Sequence, residues 1–150
     1  MTSKSLSDKD KPVGVIGAGN FGSVIANLLA RQRKVLLYAR NQEVVEHILY
    51  KKENRGYKMH DQITPTHELS RVAEHCDIIF PIVPSAHFRS MMKELSTYLH
   101  PYHLLIHGTK GFDVMLPEGQ TIDTLATLNR SMVKTMSEVI KEESVVARVG

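Results

Sequence analysis

A chain of 150 residues with 42% hydrophobic and 23% charged residues suits one globular domain with a single core. Its net charge of +3, with Lys and Arg scattered apart from Arg31-Gln32-Arg33-Lys34 and Lys51-Lys52, lays down no track for a nucleic-acid backbone. The single cysteine, Cys76, excludes an intrachain disulfide, and no apolar run approaches the ~20 residues of a membrane span.

Residues 1–11, MTSKSLSDKDK, are polar and lack a signal-peptide apolar run, so a short disordered leader is expected before a domain at 12–150. Pro12 to Ile16 predicts a first strand. Asn20 to Arg31 predicts a helix with Phe21, Val24, Ile25, Leu28 and Leu29 on one inward face. Val35 to Tyr38 is a second apolar strand, and Gln42 to Lys52 a helix turned inward through Val44, Val45, Ile48 and Leu49. Asn54 to Asp61 is polar and loop-like. A short third strand is expected at Gln62 to Thr64, stopped by Pro65. Thr66 then caps a helix with Glu68 in its first turn and Leu69 inward.

Asp77 to Val83 is nearly all apolar, as a strand covered on both faces requires. Cys76, just before it, reads as a small buried hydrophobe in a protein of a reducing, cytoplasmic compartment. Pro81 removes a ladder donor, so this fourth strand is distorted there or ends sooner. Ser85 to Leu99 predicts a helix packed through Phe88, Met91, Met92, Leu95 and Leu99, the methionines being core. Leu104 to His107 is a fifth strand, closed by Gly108. Asp113 to Thr127 is a long connection or a short extra helix. Asn129 to Glu142 predicts a helix with Met132, Val133, Met136, Val139 and Ile140 inward, and Val145 to Val149 a sixth strand. Strands alternating with helices predict an α/β fold: a doubly wound, mostly parallel sheet with helices on both faces.

Gly17-Ala18-Gly19-Asn20-Phe21-Gly22 joins the first strand to the first helix. In that context Gly17 allows a tight turn, Gly19 lets a pyrophosphate approach the backbone, and Gly22 lets helix and strand pack closely. The helix N-terminus then faces an anion. The second strand ends in Tyr38-Ala39-Arg40-Asn41, with no acid for a ribose hydroxyl. Arg40 stands where a guanidinium can hold a 2′-phosphate or stack on adenine; the alternative is a surface arginine at a strand end. Pro84, after the fourth strand, can wall one side of a nicotinamide. Ser85 is readable as a helix cap, and His87 either as an acid–base group or as an ordinary first-turn residue. After the fifth strand, Gly108-Thr109-Lys110-Gly111 sets a lysine between glycines, where it can bond a cofactor ribose and a substrate phosphate or hydroxyl together. A solvated loop lysine is the alternative. His47, His60, His67, His75, His100 and His103 show no metal-ligand spacing and read as surface or capping residues.

VGVIGAGNFGSVIANLLA, VLLYAR, DIIFPIVPSAHFR, HGTKGFD and MSEVI, in this order and spacing, resemble NAD(P)-dependent glycerol-3-phosphate dehydrogenases over most of Val13 to Val146. The resemblance implies a Rossmann-type cofactor domain. It implies cofactor contacts at Asn20, Phe21 and Arg40, and a Lys110 that touches both nucleotide and glycerol phosphate. It also implies reversible hydride transfer between NAD(P)H and dihydroxyacetone phosphate, at the branch toward phospholipid synthesis. The partner is then a small phosphorylated substrate, the cofactor NAD or NADP, and a homo-oligomer is open to the full-length enzyme. The family carries its catalytic base in a second, helical domain, so this chain reads as the cofactor part of a longer enzyme. Arg55 to Pro65 lacks the family's Leu-Pro-rich segment, and residues 114–128 are longer than its pattern. Competing readings are a ketopantoate reductase, a 6-phosphogluconate dehydrogenase relative, or a non-catalytic NAD(P)-sensing module.

Overall fold

The computed structural model describes residues 10–150. Most of the predicted leader therefore lies outside the described residues. In chain order the first half comprises β1 (Val13–Ile16), α1 (Asn20–Ala30), β2 (Val35–Tyr38), α2 (Gln42–Lys51), β3 (Glu53–Asn54), β4 (Tyr57–Lys58), β5 (Ile63–Thr66) and α3 (Leu69–His75). The second half comprises β6 (Ile78–Pro81), α4 (Ser85–Ser96), β7 (Leu104–Leu105), β8 (Phe112–Val114), β9 (Val133–Thr135), α5 (Met136–Glu143) and β10 (Arg148–Val149). Six strands form one sheet in the order β10-β7-β6-β1-β2-β5, and every pairing in it is parallel. The chain moves outward from β1 in one direction, returns, and moves outward from β6 in the other. The order reverses between β1 and β6, which opens a crevice at their carboxyl ends.

Side chains alternate across each strand and feed two cores. Val13, Val15, Val35 and Leu37 pack with Ala26 and Ala30 of α1 and Ile48 of α2. Ile16, Leu36, Ile79 and Leu105 pack on the other face with Phe88, Met92 and Leu95 of α4 and Val139 and Ile140 of α5. The methionines of α4 are core, as expected.

Helix α1 departs in part from the expected face: Ile25 and Leu29 pack against the core as expected, but the rest of that face does not. It buries Gly22, Ser23, Ala26 and Ala30, its smallest residues, while Phe21, Val24 and Leu28 are 54%, 42% and 56% exposed. Both sides of this helix are apolar, so periodicity alone cannot choose between them. The small side allows the closer approach to the sheet that the glycine loop demands. Leu49 of α2, also expected inward, is exposed.

Pro65 does not stop the third strand; it sits inside β5. This strand lies at the sheet edge and, among the described residues, pairs only with β2. The Ile63 N–H turns away from β2 to the His60 carbonyl, so Pro65, two residues on, has its missing donor on the unpaired side. Pro81 instead ends β6, as one of the two expectations had it.

The region from 113 to 132 forms no α-helix. Its start, β8, pairs antiparallel with β9, and short 3-10 turns lie at Ile122–Thr124 and Arg130–Met132. The predicted helix from Asn129 begins only at Met136. Asn129 caps a single 3-10 turn, whereas Thr135 and Glu138 form a reciprocal capping box. Met132 and Val133 consequently lie outside the helix. The sixth strand is also shorter than Val145 to Val149, and Val145 is exposed.

The capping box carries a pH signature. The Thr135 backbone N–H, together with Arg130, holds the Glu138 carboxyl down from 4.5 to about 2. A carboxyl with a depressed folded pKa adds stability above its unfolded value, and loses that share as pH falls through 4.5 toward 2. Urea midpoints measured from about pH 5 down to about pH 2 will fall less for Glu138→Gln than for wild type. Parallel curves for the two proteins would refute this role for Glu138.

Two buried groups complete the core. Burial, and then Asp77, pushes the Cys76 thiol up to about 12, so it is an inert hydrophobe as expected. His103, expected as a surface or capping residue, is fully buried. Its Nδ1 accepts from the His100 N–H at 2.8 Å, which leaves Nε2–H to donate to the Ala73 carbonyl at 2.9 Å. It ties the turn before β7 to α3.

Candidate functional site at the carboxyl edge of the sheet

The glycine loop leaves β1 at the strand-order reversal. Gly17 has φ +117°, and a Cβ there would lie 2.1 Å from the Ile82 carbonyl oxygen. A Cβ on Gly22 would lie 1.8 Å from the Gly17 carbonyl oxygen. Gly19 differs: among the described residues nothing lies within 4 Å of the position a Cβ would take. Two glycines are therefore required by the protein's own backbone, and the third leaves open space outside the loop. Gly19 is also the N-cap of α1, which has no side-chain cap and no acid in its first turn. The amide donors at Asn20 and Phe21 are thus left for an anion from outside.

Around this loop the structure assembles most of the expected residues. Arg40 is exposed just past β2. Neighbouring Asn41 is committed to capping α2, its Oδ1 accepting from the Glu43 N–H at 2.8 Å. The Phe21 ring reaches across to Gly108, where a Cβ would come within 2.9 Å of it. Pro84 is the exposed N-cap of α4 with φ −55°. Lys110 is exposed in the loop beyond β7. Thr109 fastens that loop, its Oγ1 donating to the Val83 carbonyl at 2.7 Å. On the other side of the lysine, Gly111 has φ +123°, and a Cβ there would come within 2.9 Å of Ser85 Oγ. Lys110 therefore sits between a hydrogen-bonded anchor at Thr109 and a glycine packed closely on Ser85 of α4. His87 is exposed, its side chain has no hydrogen-bond partner among the described residues, and it enters the geometry only through its backbone. His107 lies deeper, with Nε2 3.0 Å from Ser137 Oγ and burial lowering its pKa.

A second support was invisible in the sequence. The stretch read as a polar loop forms the hairpin β3–β4, turned by Arg55 and Gly56 at φ 51° and 81°. Positive φ at both central residues is the signature of the tight hairpin turn. Asn54, buried in this hairpin, donates Nδ2 to the Ala18 carbonyl at 2.9 Å and to Ser23 Oγ at 2.8 Å. Ser23 Oγ in turn donates to the Gly19 carbonyl at 2.7 Å. Asn27 holds the hairpin's far end by bonding the Lys58 carbonyl and the His60 N–H. The glycine loop is thus braced from behind. The available sequence signal was Gly56 in a polar stretch.

A cavity of about 510 Å³ lies at the opposite edge of the sheet, among Lys11, Asp77, Tyr102 and Arg148. The Lys11–Asp77 ion pair at 2.7 Å crosses it. Ligands of open parallel sheets bind beyond the strands' carboxyl ends, so geometry favours the shallower glycine-loop edge. Among the described residues no group of His, Cys, Asp or Glu is arranged to hold a metal.

A doubly wound sheet with strand order 3-2-1-4-5-6, and a braced glycine loop opening an uncapped helix at the reversal, defines a dinucleotide-binding domain of the Rossmann class. Residues 12–149 match the family model for the NAD-dependent glycerol-3-phosphate dehydrogenase N-terminus. The chain belongs to that family. It is 32% identical over 147 residues to the glycerol-3-phosphate dehydrogenase [NAD(P)+] of Pseudomonas aeruginosa strain LESB58, covering 95% of this chain and 38% of that relative. Solved glycerol-3-phosphate dehydrogenases share its fold. The Saccharomyces cerevisiae structure has a TM-score of 0.75 at 22% identity, with 95% of this chain and 41% of that one covered. The Coxiella burnetii structure has a TM-score of 0.72 at 21% identity, with 93% and 39% covered. The chain thus spans well under half the length of these relatives.

Proposed function

We propose that this chain is the cofactor-binding part of an enzyme that interconverts sn-glycerol 3-phosphate and dihydroxyacetone phosphate with NAD(P)(H). The observation that carries this reading is a single edge of the sheet holding both the braced glycine loop and the anchored Lys110. Family membership across residues 12–149 favours it over a ketopantoate reductase, a 6-phosphogluconate dehydrogenase relative or a sensing module.

The bound dinucleotide would supply the hydride. The chain's own residues would hold it and place the substrate. The open side of Gly19 and the amides of Asn20 and Phe21 suit a pyrophosphate, with Gly17 and Gly22 keeping the loop tight. Phe21 and Pro84 flank the site and shed water from its apolar side. Lys110 has the charge and reach for a ribose hydroxyl and a substrate phosphate together, and the Thr109 bond holds the loop that carries it. A single buried thiol agrees with a reducing, cytoplasmic compartment. No helix among the described residues is long and apolar enough to cross a membrane.

Arg40 has no hydrogen-bond or ion-pair partner among the described residues, and no acid stands beside it to select the free ribose hydroxyls. It suits a 2′-phosphate. In calorimetric titrations Arg40→Ala will raise the Kd for NADPH about tenfold and leave that for NADH nearly unchanged, as expected for one lost charge-assisted contact. Equal losses for both cofactors, or none, would exclude the 2′-phosphate role. Failure of the wild-type chain to bind either cofactor would defeat the whole reading.

A further inference from the structure

We infer that Arg55 is a second cationic contact for the cofactor, directed at its diphosphate rather than at the adenosine 2′-phosphate; the inference rests on the dinucleotide reading above. Arg55 occupies the first turn position of the β3–β4 hairpin, on the flank of the glycine loop. Its Nε donates to the Ala18 carbonyl at 3.3 Å, the same oxygen that accepts Asn54 Nδ2 at 2.9 Å. Ala18 lies between Gly17 and Gly19, within the segment whose outer side is open. The guanidinium is therefore fastened by one nitrogen to the Ala18 carbonyl, on the flank of the loop. Its two terminal nitrogens have no other partner among the described residues, and the side chain is exposed.

The backbone supplies an independent reason to single out this residue. Arg55 has φ 51°, one of two non-glycine residues with positive φ among those described. The other, Lys52, is a helix C-cap, where the left-handed conformation is routine. In a tight hairpin turn the first position strongly favours Asn, Asp or Gly, because an arginine Cβ is crowded there. A residue that strains the turn, yet points its charge along an anion-binding loop, is placed for a ligand rather than for the fold. The one-nitrogen tether also restrains the planar fork and leaves its two terminal nitrogens available for phosphate oxygens. Arg40 lies at the end of β2 and Arg55 at the loop itself. The two thus divide the phosphates of the ligand between them.

Arg55→Asn removes the charge and relieves the backbone, which makes the test direct. Calorimetry on the purified chain with NADH, NADPH and ADP-ribose as probes, paired with thermal melts, reads both properties. The expected result is a Kd about tenfold higher for all three probes, with a melting temperature equal to or above wild type. Arg55→Lys, which keeps a charge without the fork, will fall between. An unchanged Kd overturns the inference, as does a loss confined to NADPH, which would move Arg55 to the 2′-phosphate. A lower melting temperature accompanying the affinity loss overturns it too, by assigning Arg55 to the fold. If the wild-type chain binds none of the probes, the dinucleotide reading itself falls, and that outcome is distinct from the others.

Discussion

Gly22→Ala will cost this protein both its stability and its dinucleotide site. The added methyl would sit 1.8 Å from the Gly17 carbonyl oxygen, well inside van der Waals contact. Neither partner is a flexible side-chain end: one is backbone at the start of α1, the other backbone at the end of β1. Relief requires α1 to move off the sheet, which breaks the close packing of Ser23, Ala26 and Ala30. The Ser23 bonds to the Gly19 carbonyl and to Asn54 would go with it. Core overpacking costs roughly 1–3 kcal/mol, and a backbone-to-backbone clash lies at or beyond the top of that range, about 3 kcal/mol or more. Chemical unfolding measures the stability loss, and calorimetry will find no NADPH binding at concentrations that saturate wild type. Gly19→Ala, with nothing within 4 Å, serves as the control: it will unfold like wild type. A Gly22→Ala chain with wild-type stability would refute the geometry of the loop.

The second large effect lies away from the site, at Arg89. This α4 residue reaches three carboxylates on two other elements: Asp113 of β8 at 2.7 Å, Glu142 of α5 at 2.9 Å, and Glu143 of α5. Lys134 of β9 joins through Glu142 at 2.9 Å. Burial alone would lower the Arg89 pKa, but its bonds to Asp113, Glu142 and Glu143 outweigh that and raise it. The Arg89 side chain is only 18% exposed. Replacing it by methionine keeps the stem and removes the charge, leaving the three acids facing one another. Losing one partner of a fully buried pair costs roughly 3–5 kcal/mol; solvent on the Glu142 side brings the expectation for Arg89→Met down to about 2 kcal/mol. The loss will shrink in molar salt, which screens the remaining repulsion. Adding Asp113→Asn to Arg89→Met will recover part of it. A single substitution within ~0.5 kcal/mol of wild type would show the cluster to be decorative.

The sequence carried the sheet well because its strands are covered on both faces. Buried parallel strands need unbroken apolar runs, and β1, β2 and β6 have them. It misled where two physical demands compete. In α1 the bulky residues advertise one face, while the backbone approach at Gly22 selects the other. At Pro65 the proline rule for central strands does not bind at an edge. At Asn129 a good cap residue lost to the Thr135–Glu138 box a few residues on, because the reciprocal pair satisfies two backbone donors of the first turn, those of Thr135 and Glu138. The candidate site divides the same way. Gly17, Gly19, Gly22, Arg40 and Lys110 follow from their position after strands. Asn54 and Arg55 do not, because their role depends on a hairpin folding back 36 and 37 residues onto Ala18. Contacts of that span leave no local periodicity to read. Thr109 belongs with them: its bond to Val83 spans 26 residues.

The strand order also governs how the chain comes off the ribosome. Synthesis proceeds from the N-terminus, and β1 meets β2 within a few tens of residues. Its other neighbour, β6, pairs Gly14 with Ile79 and Ile16 with Pro81. Until Pro81 has emerged, β1 is an open apolar edge, although in the finished sheet it is among the most protected strands. The glycine loop shares that wait, since Gly17 is packed against the Ile82 carbonyl and the Ile82 N–H donates to the Ile16 carbonyl at 2.7 Å. The nascent chain thus passes through an interval in which its most buried strand is an unpaired apolar edge.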